Sequence, residues 1–114
     1  MRLGDLIKGA GQEGKEKHVP VIELVNCDEC GKNAVKITVG VETPHPNTIE
    51  HHIKWVMLYG VKGNVAFHIA TFDFGPTYGV PTVVTHVNPE DFSELIAVEY
   101  CNIHGLWEGA YSLS

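Results

Sequence analysis

Along this chain, the pattern of apolar and polar positions is mostly that of short strands, with no long stretch at the 3.6-residue period of a helix. "AVKITVGV" (34–41) is the clearest case: Val35, Ile37 and Val39 alternate with Lys36 and Thr38, the signature of a half-buried strand. "HVPVIELV" (18–25), "IKWVMLYG" (53–60), "NVAFHIATFDF" (64–74), "PTVVTHV" (81–87) and "ELIAVEYC" (94–101) continue the series, each bounded by Gly, Pro, Asn or Asp. About seven short strands at 8–12-residue spacing, with no long helical period, predict an all-β immunoglobulin-like sandwich or barrel. One short helical turn is predicted over Asp5–Lys8, with Leu3, Leu6 and Ile7 apolar. The glycine-rich, charged "GAGQEGKEK" after it reads as a mobile loop, so residues 1–17 are predicted to form an N-terminal turn and loop.

At 114 residues, the chain is read as a single domain, 1–114. Hydrophobic residues make up 44% and charged residues 19%, ordinary values for a globular protein. No apolar run reaches the roughly 18 residues of a membrane span. The N-terminal stretch lacks an apolar run followed by a small-residue cleavage site. The reading is therefore cytoplasmic, with no membrane partner. A net charge of −6 argues against nucleic acid, which requires a basic face. It also means that an anionic substrate would need a local positive patch. Three cysteines do not make a disulfide scaffold. The seven histidines are the compositional outlier.

Several of these histidines sit in suggestive surroundings. In "PHPNTIEHH" (44–52), two prolines bracket His45 and hold it in extended backbone. Asn47 can cap a helical turn, with Glu50 completing a capping box and His51 delivered at a fixed offset. Such a pair is preorganised for a metal; equally, it can be a polar loop that happens to hold histidines. His52, beside His51, should point elsewhere. "CNIH" places Cys101 and His104 close enough to share one ion, a thiolate–imidazole pair suited to zinc, iron or copper, although a buried cysteine near a histidine is also common. "EKH" sets Glu16, Lys17 and His18 just before the first strand, where a histidine is most simply a surface residue. "NCDEC" offers Cys27 and Cys30 as half a zinc knuckle, a redox dithiol or two thiols in a turn. His68 and His86, within strands, read as structural.

Taken together, "EKHVPVIE" (16–23), "PHPNT-EHHI" (44–53) and "CNIHGLWE" (101–108) resemble the superoxide reductase family: the one-iron neelaredoxin form and the iron domain of desulfoferrodoxin. The three motifs occur in family order and cover most of the chain. The resemblance implies an immunoglobulin-like fold holding one non-haem iron, Fe(2+)/Fe(3+), per chain. It makes His18, His45, His51 and His104 the four equatorial imidazoles and Cys101 the axial thiolate. Glu16 matches the carboxylate that occupies the sixth position in the ferric state, and Lys17 the cation at the open face. The implied reaction is one-electron reduction of superoxide to hydrogen peroxide, with the iron re-reduced by a rubredoxin-type donor. Small members of the family are often homo-oligomers, tetramers in particular. The backbone N–H groups after Cys101 are placed to reach its sulfur and tune the iron.

Cys27 and Cys30 lie outside these motifs and are read as a peripheral pair, either a labile disulfide or a second metal clip. Two other functions compete with the reductase. One is a structural zinc domain using Cys27, Cys30, Cys101 and His104, weakened by the long gap between its halves. The other is a non-catalytic iron electron carrier or oxygen sensor built on the same five residues.

Overall fold

The computed structural model describes residues 1–14, 17–27, 32–88 and 92–113. Among the described residues, seven strands form two antiparallel sheets packed as a sandwich: β1 (Pro20–Cys27), β2 (Lys32–Val39), β3 (Ile53–Lys62), β4 (Val65–Asp73), β5 (Thr82–His86), β6 (Glu94–Cys101) and β7 (Gly105–Ser112). One sheet has the order β1-β2-β5, the other β4-β3-β6-β7. The alternation seen in the sequence is what allows this. Val35, Ile37 and Val39 of β2 point inward, as do Val56 and Leu58 of β3 and Leu95, Ala97 and Cys101 of β6. Each buried Val, Ile or Leu among them contributes roughly 1.5–3 kcal/mol, enough to fix the register because a one-residue slip would turn the whole set to solvent. No helix among the described residues is long and apolar enough to cross a membrane.

Two N-terminal details differ from the sequence reading. The helical turn forms at Leu3–Asp5 rather than Asp5–Lys8, because the Asp5 carboxylate accepts the Arg2 backbone N–H and closes the turn there. The glycine-rich stretch is not wholly loop either: Ala10–Gln12 forms a second 3-10 turn. Lys8 is tied to β7, donating its N–H to the Leu106 carbonyl at 3.0 Å and accepting the Glu108 N–H at 2.8 Å. Its ammonium lies over the Trp107 ring, 5.4 Å from the centroid.

The registers bring one set of chain ends together. Pro20 at the start of β1 pairs with Val39 at the end of β2, and Thr82 at the start of β5 pairs with Thr38. In the other sheet Ile53 pairs with Cys101, Cys101 with Gly105, and Trp55 with Asp73. The segment before β1, the β2–β3 loop, the β4–β5 loop and the β6–β7 turn therefore converge at one end of the sandwich. A register shift between Ile53 and Trp55 bends β3 as it enters this end.

Candidate metal centre

Each candidate side chain is delivered to this end by one of those segments. Cys101 closes β6 on its inward face and is fully buried. The turn after it carries His104, whose backbone N–H donates to the Cys101 sulfur at 3.4 Å. Gly105 ends the turn at φ +83, a conformation that favours glycine. His18 precedes β1 and is buried, against the simplest reading of a strand-opening histidine. It stacks on Trp107 with ring centroids 4.7 Å apart and planes inclined by 14°. Its backbone N–H donates to the Glu13 carboxylate at 2.9 Å.

His45 is fixed from two sides. Gly40, at φ +89, lies so close that an added Cβ would sit 2.5 Å from the His45 backbone nitrogen. The His45 Nδ1–H donates to the Pro46 carbonyl at 2.7 Å, so a neutral ring presents its Nε2 lone pair. His51 follows a tight turn in which Thr48, not Asn47, is the cap: Thr48 Oγ1 accepts the His51 N–H at 3.1 Å. The predicted Asn47–Glu50 capping box does not form, and no helical turn occurs here. Asn47 is used elsewhere. Its side-chain amide accepts the Thr77 N–H at 3.1 Å and donates to the Thr77 and Gly79 carbonyls at 3.3 Å each. Those bonds hold Thr77 at φ 69, a strained value for a β-branched residue.

The four imidazoles form a closed ring. Centroid distances are 4.8 Å for His18–His45, 4.7 Å for His45–His51, 5.1 Å for His51–His104 and 4.8 Å for His104–His18. Neighbouring planes are steeply inclined, between 56° and 83°. The Cys101 sulfur sits 3.7 Å from His45 Nε2 and 3.8 Å from His104 Nδ1. Donor atoms of His18, His51, Cys101 and His104 all lie within 4.8 Å of one another. Nitrogen and sulfur donors converging this closely fit a transition-metal ion, whose bonds to them run about 2.0–2.3 Å. Carboxylate-loving magnesium or calcium would find no oxygen in this set.

The other candidate residues lie off the ring or outside the described residues. His52 is buried but turned away, its Nδ1–H donating to the Thr48 carbonyl at 3.0 Å. His68 lies on the exposed face of β4 against Thr71. Lys17 pairs with Glu42 at 3.7 Å; Glu16 lies outside the described residues, as does Cys30. Cys27 ends β1 at the opposite end from Pro20, roughly 20 Å away at the ordinary rise of a strand. A zinc site combining Cys27 with Cys101 and His104 is therefore not what this fold builds.

One residue of consequence escaped the sequence reading. Glu99 shares the inward face of β6 with Cys101, is fully buried, and neither carboxylate oxygen has a hydrogen-bond partner among the described residues. Burial, with a smaller push from the Glu13 carboxylate, raises its pKa from 4.5 to about 9, so it is neutral at pH 7. The period-two spacing Leu95, Ala97, Glu99, Cys101 was the available signal.

Comparison with known proteins agrees with this geometry. Residues 10–110 match the family model described as desulfoferrodoxin. The chain belongs to the desulfoferrodoxin family. A superoxide reductase from Pyrococcus abyssi is 39% identical, covering 97% of this chain and 98% of its own length. The neelaredoxin of Megalodesulfovibrio gigas is 34% identical, over 100% of this chain and 98% of its own. Among solved structures, the superoxide reductase (neelaredoxin) of Ignicoccus hospitalis superposes with a TM-score of 0.85 at 31% identity, covering 100% of this chain and 98% of that one. Family membership and the His/Cys group thus point the same way: this desulfoferrodoxin-family chain carries a group able to hold a metal.

Proposed function

We propose that this chain is a superoxide reductase, converting superoxide to hydrogen peroxide at one mononuclear non-haem iron and drawing each electron from an external donor of the rubredoxin type. His18, His45, His51 and His104 hold the iron in this reading, with Cys101 as the thiolate. The observation that carries it is the closed ring of four imidazoles with a buried sulfur against it. Bound iron supplies the one-electron couple.

The chain's own residues do the rest. The Pro46 carbonyl fixes the tautomer of His45 and keeps Nε2 available. The His104 N–H partly neutralises the Cys101 sulfur and so tempers how strongly it donates electron density. Four neutral rings and one thiolate against a ferrous ion leave a single positive charge, which attracts an anion in a partly desolvated pocket. His104 and half-buried His51 lie on the solvent side, where superoxide enters and water supplies the two protons peroxide needs. Lys17 draws the anion in; its exposed pairing with Glu42 is worth at most about 1 kcal/mol and does not lock it away. Glu16 would be the carboxylate available to the iron in its ferric state, as the resemblance implies.

The reading includes a single iron-binding domain over 1–114, a cytoplasmic location and a homo-oligomer, for which a tetramer is the working model. Val65 and Phe67, exposed on edge strand β4, support self-association. Metal analysis with a visible spectrum of the purified protein tests the metal assignment. Iron with a thiolate-to-iron band, about one ion per chain, is expected; colourless protein holding zinc would contradict it.

A further inference from the structure

Of the ring imidazoles, His45 is set by the Pro46 carbonyl and the close approach of Gly40, and His51 by the Thr48 turn. His18 and His104 are neighbours, with Nε2 of the first 3.1 Å from Nδ1 of the second. That bond sets a distance but not a tilt, because a histidine side chain turns about two bonds. Trp107 touches both residues. It stacks on His18 with centroids 4.7 Å apart and planes 14° from parallel, and its Nε1–H donates to the His104 carbonyl at 3.3 Å. The indole is buried, so both contacts are made away from water, where they are strongest.

The indole is itself held by the chain that precedes β1. Lys8 is bridged to Trp107, with its backbone bonds to Leu106 and Glu108 bracketing that residue. Its ammonium lies 5.4 Å from the indole centroid. From there the chain is kept compact by the Gln12 side chain, which accepts the Gly9 N–H at 3.0 Å, and by the 3-10 turn Ala10–Gln12. It ends at Glu13, whose carboxylate accepts the His18 N–H at 2.9 Å. Residues 8–13 are thus tied at one end to the ring that stacks and at the other to the ring it stacks upon. A metal site needs its side chains held within about 0.5 Å of working geometry. Two ties and one aromatic face supply that hold for the half of the ring that the β2–β3 loop does not provide.

We infer that Trp107 is the positioning residue for His18 and His104, and that residues 8–13 are the strap that keeps it seated. This rests on the proposed iron centre. The chemistry calls for tryptophan rather than another aromatic. Phenylalanine can stack on His18 but has no N–H for the His104 carbonyl, and tyrosine carries its donor at the far end of the ring. An indole face is also the best aromatic partner for positive charge. An imidazole that shares a cation's charge therefore stacks on Trp107 more favourably than a neutral one, and the stack favours the loaded ring. The bond to the His104 carbonyl restrains the same residue whose N–H reaches the Cys101 sulfur. Trp107 thereby acts on the thiolate as well as on two imidazoles, without touching substrate.

The test uses the full iron-loaded chain. Iron release to a chelator, the ferric EPR signal and the thiolate-to-iron band are read, with urea unfolding of each variant as the stability reference. Trp107→Leu removes both contacts and is expected to release iron about 10–100-fold faster, as loss of a partner to a metal-bound histidine does, with a broadened ferric signal. Trp107→Phe keeps the stack. It should restore a sharp ferric signal and most of the iron retention, while the thiolate-to-iron band stays displaced because the His104 carbonyl has lost its donor. Glu13→Ala should quicken release by less than about tenfold. Val35→Ala, a buried change in the middle of β2, should lower stability and leave release and both spectra as in wild type. Wild-type release and spectra in Trp107→Leu would overturn the inference. So would release from Val35→Ala as fast as from Trp107→Leu, which would reduce Trp107 to general stability. If Trp107→Leu does not fold, unaltered release and spectra in both Trp107→Phe and Glu13→Ala overturn it. NMR of the metal-free chain reads the stack without iron: the indole should shift the His18 ring protons upfield, and a wild-type chain without that shift would also overturn the inference. Wild-type protein that takes up no iron would instead remove the proposed function, and the positioning role is then judged on the His18 shift alone.

Discussion

The Cys101 sulfur is fully buried, against two imidazoles and the His104 N–H. That environment favours a thiolate only if a cation is shared among the rings. Cys101→Ser is therefore expected to abolish the thiolate-to-iron band, while the double change Cys27→Ser/Cys30→Ser leaves it intact; visible spectra of the two proteins decide. At this scale the sequence was partly legible. The spacing in "CNIH" pointed to Cys101 and His104. His18 did not declare itself, because its burial depends on Trp107, which lies 89 positions away and reaches it only through the β1–β7 junction. Asn47 misled: an Asn three residues before a Glu is a capping signal, but its amide found better partners in the 77–79 turn, a tertiary contact no local rule contains.

Among the elements, β2 announced itself by alternation and five more strands as β-branched, apolar runs between turn residues, while β7 did not. "GLWEGAYS" carries two glycines, which weaken a strand signal. Gly109 is nonetheless required, because a side chain there would run into the Pro20 carbonyl where β7 passes β1. In β6 the alternation carries a cost, since Glu99 takes an inward position. A raised carboxyl pKa means that the folded chain binds a proton which the unfolded chain has released. The stabilising share is complete below pH 4.5 and declines as pH rises toward 9. The slope approaches about 1.4 kcal/mol per pH unit at most. Urea denaturation of the metal-free chain from pH 5 to 8 is expected to show stability falling with pH, and Glu99→Gln should flatten the decline. An unchanged slope in Glu99→Gln would assign the pH dependence to other groups.

For the whole molecule, the question is how a protein of net charge −6 takes an anionic substrate. A small ion responds to the field within about 10 Å, the reach set by salt, rather than to the total. Lys17 is the cation adjoining the ring residue His18. Lys17→Ala is expected to slow the second-order reaction with superoxide by about one to two orders of magnitude at low salt, with the deficit shrinking as salt rises. Glu16→Ala should leave that rate nearly unchanged and alter the ferric spectrum. The direct test of the central claim is the stoichiometry of superoxide consumption by the iron-loaded, donor-coupled protein. One electron taken from the donor and one hydrogen peroxide formed per superoxide, without release of dioxygen, is the result the ring of imidazoles and its thiolate call for; no reaction, or dioxygen released with the donor unspent, would contradict it.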